Sequence, residues 1–313
     1  MRLKQNLPEI DHAQSQVVSI RYTNNIKWIS KVLINKTIIF VCLIASLQGC
    51  SSKLAYNNAD WLSNWYIDDY LDLNTDQNRT LKKELVSVLE WHRTTQLSQY
   101  KQQLLALSND LDSLPISEEQ WLYHFNSITA HWHRARKEVS LRSSKLAPLL
   151  DPTQVGYLFK KLHQKNQQKL DDFNDQTLEE YRNARFESMQ DAIKDYLGSI
   201  SEQQKKIARA FTGHAIVTEQ EWFDSKVALQ GAMKAAFNNE NPTELTDTLY
   251  GLMINPDQFK ANNLLEAYAT NRTLLVRMLH KLSTSLSVEQ VMHFKDEIAD
   301  LIALIESLEV NHK

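Results

Sequence analysis

One short pattern recurs along this chain and constrains it more than any other: an aliphatic residue, then Ser, Asn or Asp, two variable positions and Gln. It stands at Leu73-Asn74-Thr75-Asp76-Gln77, Ile116-Ser117-Glu118-Glu119-Gln120, Leu150-Asp151-Pro152-Thr153-Gln154, Ile200-Ser201-Glu202-Gln203-Gln204, Ile254-Asn255-Pro256-Asp257-Gln258 and Leu286-Ser287-Val288-Glu289-Gln290. Ser, Asn or Asp at an N-cap accepts a bond from an orphan backbone N–H, Gln at N3 reaches back to the cap's own N–H, and the aliphatic residue before the cap staples the entry. Pro152 and Pro256 fall at the first helical position, where a missing N–H costs nothing. Asn241-Pro242-Thr243-Glu244 is the same box with Glu. Each box marks a helix start.

Between the boxes, apolar residues repeat at intervals of three and four. Leu81, Leu85, Val88 and Leu89 form one stripe, followed by Leu97, Tyr100, Leu104, Leu107 and Leu111; Val291, Phe294, Ile298, Leu301, Ile302, Ile305 and Leu308 form another. The pattern predicts helices over 54–70, 75–111, 118–146, 152–173, 177–197, 202–238, 242–253, 256–284 and 288–309, with Gly198 as a left-handed stop. Six Gly and six Pro in 313 residues leave little material for the turns of a many-stranded sheet. Successive box glutamines lie 43, 34, 50, 54 and 32 residues apart, which is not the fixed period of a solenoid. The expected fold is all-α, an elongated irregular antiparallel helical bundle of about nine helices, either one continuous region 50–313 or two regions, 50–198 and 199–313.

Ahead of these helices, residues 37–47 make an 11-residue apolar run preceded by Lys31 and Lys36, the shape of a signal peptide and too short to span a bilayer. It ends at Leu47-Gln48-Gly49-Cys50, which resembles the lipobox of bacterial lipoproteins, although Gln48 is a less common occupant of its position. The resemblance implies cleavage before Cys50, lipidation of that residue, and a membrane anchor made of acyl chains, which at about 0.8 kcal/mol per buried methylene hold firmly once two are present. Ser51, where an Asp would resemble an inner-membrane retention signal, implies transfer to the outer membrane, on its inner leaflet and facing the periplasm. Residues 1–49 are then a signal peptide with an n-region of 36 residues, long enough to predict translation from a later, non-Met codon such as the one read as Val32.

The whole chain carries a net charge of −3; losing residues 1–49 removes six basic and two acidic residues and leaves 29 Lys+Arg against 36 Asp+Glu, a net of −7. Neither form binds nucleic acid through overall charge. Two Cys make neither a disulfide framework nor a four-thiolate zinc site. No His-Glu-x-x-His, Gly-x-Ser-x-Gly or phosphate-binding Gly loop occurs, so no metal, no cofactor and no catalytic residues are expected.

Three constellations remain. Tyr56-Asn57-Asn58-Ala59-Asp60-Trp61, directly after Cys50, resembles a segment shared by a family of gammaproteobacterial lipoproteins of unknown function, and that resemblance supports only the lipoprotein and helical readings. In the same stretch Trp61, Trp65, Asp68, Asp69 and Asp72 are read either as a membrane-proximal partner surface or as aromatics packed inward beneath solvating carboxylates. Trp91-His92-Arg93 and Trp132-His133-Arg134-Ala135-Arg136 bring aromatic and basic groups together, for an anionic polymer or lipid head group or for ordinary packing, while His131 and His133 point to different helix faces. The expected function is a non-enzymatic lipoprotein that binds or scaffolds envelope proteins. An alternative comes from the boxes, which are similar to the Leu-Thr-x-x-Gln repeats of Spy-type periplasmic chaperones; a lesser one is an envelope enzyme of unrecognised type.

Overall fold

The computed structural model describes residues 67–310 together with Tyr56, and among these it is all-α. Cys50, its lipobox neighbours Leu47, Gln48 and Gly49, Ser51, Trp61 and Trp65 lie outside the described residues. Helix α1 runs from Thr75–Trp91 (α1a) through a π-helical turn, His92–Gln96, into Leu97–Asp110 (α1b). It is followed by α2 (Glu118–Ser143), which ends in a 3₁₀ turn, Ser144–Leu149, and by α3 (Pro152–Asn174), α4 (Leu178–Leu197) and α5 (Glu202–His214). Then come α6 (Glu219–Ala236), α7 (Pro242–Ile254), a 3₁₀ turn Pro256–Phe259, α8 (Asn262–Ser283) and α9 (Val288–Val310). Counting α1 as one rod gives nine helices among the described residues.

Five of the six boxes form as the sequence predicts. Asn74, Ser117, Asp151, Ser201 and Ser287 each cap a helix reciprocally with the Gln three residues on. Thr177 and Glu180 make a further box, signalled by Thr-x-x-Glu. The sixth does not form: Asn255 sits at φ −122°, ψ 58°, and the Gln258 amide donates to the Asn255 carbonyl, so a 3₁₀ turn replaces the helix expected from 256 and α8 starts at Asn262. The helix expected over 202–238 is also interrupted, between His214 and Glu219. There the Asn271 side chain from α8 accepts from the Ile216 N–H at 2.7 Å and donates to the Ile216 carbonyl at 2.8 Å, taking both groups that a continuous helix would use. Gly198 closes α4 at φ +70°, as expected.

The boxes do more than start helices. Gln204 and Gln290, 86 residues apart, exchange side-chain amide bonds in both directions at 2.8 and 2.9 Å. Each amide nitrogen also donates to the carbonyl two residues before the partner's cap, Ser285 for Gln204 and Ser199 for Gln290. Gln77 and Gln154 repeat the arrangement, bonding each other at 2.8 and 2.9 Å and reaching the carbonyls of Leu149 and Asp72. With the bond from its own N-cap N–H, each of these four amides uses both donors and both lone pairs. Two pairs of helix ends, α1a with α3 and α5 with α9, are thereby joined cap to cap.

The largest core cluster lies where α4, α5 and α8 meet: Phe186, Ile193, Leu197, Ala208, Phe211, Leu275, Met278 and Leu282 are buried together. The C-terminal stripe packs as predicted, Ile305 and Leu308 against Leu97 and Tyr100, and Ile298 against Leu111 and Ile116. Helix α9 thus ties the end of the chain to α1b, and Lys101 pairs with Glu306 at 2.5 Å across the same contact. Ala147, Leu245 and Leu249 hold α7 to the turn after α2.

Candidate functional site

The acidic residues after the first aromatic stretch do not converge. Asp68 is exposed, whereas Asp69 turns onto α3, 2.5 Å from Lys165 and 3.6 Å from Lys161. The hydrogen bond from Lys165 holds the Asp69 carboxyl below its ordinary range. Asp72 is exposed, but its backbone carbonyl is locked to Gln154 at 2.5 Å. The segment from Asp69 to Asp72 is therefore clamped to the body. Among the described residues no group of three His, Cys, Asp or Glu side chains is placed to hold a metal ion.

The two tryptophan–histidine–arginine motifs meet at the π-helical turn. There the Tyr100 ring lies between His92, at a centroid distance of 5.4 Å, and His131, edge-on at 4.8 Å. His92 Nδ1 is 2.9 Å from the Tyr56 hydroxyl, and Arg134 donates to His131 Nδ1 at 2.5 Å and to Gln96 Oε1 at 3.1 Å. Burial, reinforced by Arg93 and Arg134 respectively, depresses both imidazoles to about 4, so both are neutral near pH 7. Burial also pushes the Tyr100 hydroxyl up to about 12. The cluster is a buried polar joint between α1 and α2.

The remainder of the second motif faces the other way. Trp132, His133 and Arg136 line a cleft of about 800 Å³ walled by α2, α3, α4, α6, α8 and the turn at Pro256. The motif is thus split by helical periodicity, with His131 and Arg134 inward and Trp132, His133 and Arg136 towards the cleft. From α3 come Asn166, Lys169 and Phe173, from α4 Tyr181 and Arg185, from α6 Glu219, Trp222 and Lys226, and from α8 Tyr268, with Asp257 and Lys260 at the 3₁₀ turn. Because these residues sit on separate helices, nothing local in the sequence groups them.

The cleft's cations are held against rings. Arg136 lies over Trp132 at 5.6 Å, Lys169 and Lys226 over Trp222 at 5.4 and 5.6 Å, Arg185 over Tyr181 at 5.3 Å and Lys260 over Tyr268 at 4.7 Å. Lys260 also pairs with Asp257 at 2.7 Å. Arg185 is buried; its guanidinium donates to the Tyr181 hydroxyl at 2.9 Å, and that hydroxyl donates to Glu219. Burial raises the Tyr181 hydroxyl and takes Tyr268 up to about 12, so both remain protonated donors. Arg136 is lowered by burial. Lys169 keeps solvent contact at the mouth, yet the surrounding walls first, and Lys226 and Lys165 after them, lower its amine.

By fold the protein is an all-α helical bundle, here with an aromatic and basic cleft opening between its helices. It belongs to a family of unknown function, DUF6279, whose family model matches residues 69–264 and so spans the Gln77–Gln154 joint and the cleft apart from its α8 wall, Tyr268 and Asn271. No curated protein and no solved structure matches the chain.

Proposed function

We propose that this protein is a lipoprotein of the outer membrane, anchored in the inner leaflet through lipid on Cys50 and facing the periplasm, where it acts without catalysis as a scaffold for envelope proteins. The observation that carries the reading is the clamp at the start of the body. Asp69 is gripped by Lys161 and Lys165, and the Asp72 carbonyl by Gln154. A scaffold presents partners at a set attitude to the membrane, and the clamp fixes the body to the chain within about twenty residues of the proposed tether. The acidic balance supports partners other than nucleic acid. Among the described residues no helix is long and apolar enough to cross a membrane.

The test is crosslinking of the lipidated protein in living cells, followed by identification of what copurifies. One or a few stoichiometric envelope proteins, lost when Cys50→Ala abolishes lipid labelling, is the expected result. A broad spread of unfolded clients would replace the scaffold with the chaperone reading. Retained lipid labelling in Cys50→Ala would remove the anchor from the proposal.

A further inference from the structure

Beyond any scaffolding role, the cleft has the makings of a small-ligand site. Its volume of about 800 Å³ lies within the range of about 300–1,000 Å³ for such sites. Its unmet hydrogen-bonding capacity has one sign. Asn166 and Arg185 are each 8% exposed, and the Asn166 Nδ2 and Arg185 Nε groups, both donors, have no partner. A buried donor left unpaired costs about 1–3 kcal/mol, so two in one cleft, on adjoining walls, call for an acceptor. Arg136 and Lys169 add positive charge held over aromatic faces, with Asp257 at the 3₁₀ turn acting on Arg136. The ligand must therefore be acceptor-rich and anionic.

Two further features narrow its class. The exposed carboxylates of Asp172 and Asp175 line the same cleft, which disfavours a polyanion but accepts bonds from hydroxyl groups. The indole rings of Trp132 and Trp222 offer flat apolar surface beside the cations. Few charges, many hydroxyls and an apolar ring face together describe a sugar acid or sugar phosphate. We propose that the cleft between α2, α3, α4 and α6 binds an anionic saccharide, its carboxylate or phosphate held by Arg136, Lys169 and Arg185 and its ring set against the tryptophans.

The full chain in detergent micelles would be titrated with glucuronic acid, N-acetylmuramic acid, glucose 1-phosphate, glucose and adenosine monophosphate, read by saturation-transfer NMR and calorimetry. Saturable binding of at least one charged sugar, about tenfold or more tighter than glucose, is expected; the carboxylate and phosphate arms identify which anion the site takes. Lys169→Gln, at an exposed position that leaves the core untouched, should weaken the charged sugar about tenfold and leave glucose unchanged. Arg185→Gln should do the same, with circular dichroism confirming that it folds. No saturable charged sugar, equal binding of glucose, binding of adenosine monophosphate alone, or a charged-sugar affinity unmoved by Lys169→Gln would each overturn the proposal.

Discussion

Replacing Gln204 tests whether the cap-to-cap joints are structural necessities or incidental contacts. Gln204 is fully buried, and its side chain meets the Ser201 N–H, the Ser285 carbonyl and both polar atoms of the Gln290 amide. Gln204→Met keeps much of the volume and removes all four bonds. The Ser201 N–H and Ser285 carbonyl lose this partner, and Gln290 retains only its contacts with Ser199 and with its own cap, Ser287. At about 1–3 kcal/mol for each buried group left unsatisfied, the substitution should cost about 3–5 kcal/mol. Gln290→Met should cost a similar amount. The double variant should be less destabilised than the two singles together by about 1 kcal/mol or more, because each single change strands the other's amide and the double change strands neither. Urea unfolding of the four proteins closes the cycle, with Gln258→Met as the reference. That glutamine carries the same sequence signature but is exposed and bonds only the Asn255 carbonyl, so its loss should cost less than about 1 kcal/mol. If Gln204→Met were no more costly than Gln258→Met, or the two singles simply added, the joint would not be holding the helix ends.

Other expectations follow from the same physics. The imidazoles of His92 and His131 are depressed to about 4 in the folded state from an unfolded value of 6.5, so the unfolded chain binds more protons between those limits. The stability they contribute is complete above about pH 6.5 and lost as pH falls towards 4, about 2 kcal/mol for each between pH 7 and 5. Urea midpoints across that range should fall for the wild type and flatten in His92→Gln/His131→Gln; equal slopes would refute the assignment. Gly198→Ala meets a left-handed φ of +70° and places its Cβ 2.7 Å from His293 Cδ2, so thermal unfolding should show a loss of at least about 1–2 kcal/mol. Asp69→Ala removes an exposed pair and should cost under about 1 kcal/mol globally, yet limited proteolysis at 69–73 should quicken.

Helix starts were legible because a capping box is local: five of the six Gln boxes form as Ser, Asn or Asp and Gln at fixed spacing dictate. What the sequence concealed was the other side of each amide. Nothing within five residues says that Gln204 will find Gln290 or that Gln120 will instead reach Asp110. The interruption after His214 was hidden for the same reason: its cause, Asn271, lies 55 residues away. Opposite faces for His131 and His133 are legible in the helical repeat, and Trp132 and Arg136 in the run of aromatic and basic residues they belong to. Asn166, Lys169, Arg185 and Trp222 are not, because the cleft they share comes into being only when five helices and the turn at Pro256 pack.

The two joints are successive along the chain. The first closes between residues 77 and 154, the second between 204 and 290, and the two spans do not overlap in sequence. A polypeptide emerging from its N-terminus can therefore complete the first before the residues of the second exist, so the joints need not compete for partners during assembly. Later helices break this order of succession: α8 meets α2, where His280 and Ser283 bond the Ile116 carbonyl, and α9 returns to lie along α1b, with Glu306 meeting Lys101 across 205 residues. The last helix is in that sense the closing stave of the barrel-maker's work. Until it arrives, the apolar faces of Leu97, Tyr100 and Leu111 lack its cover, so a chain truncated before α9 would carry an open seam along α1b.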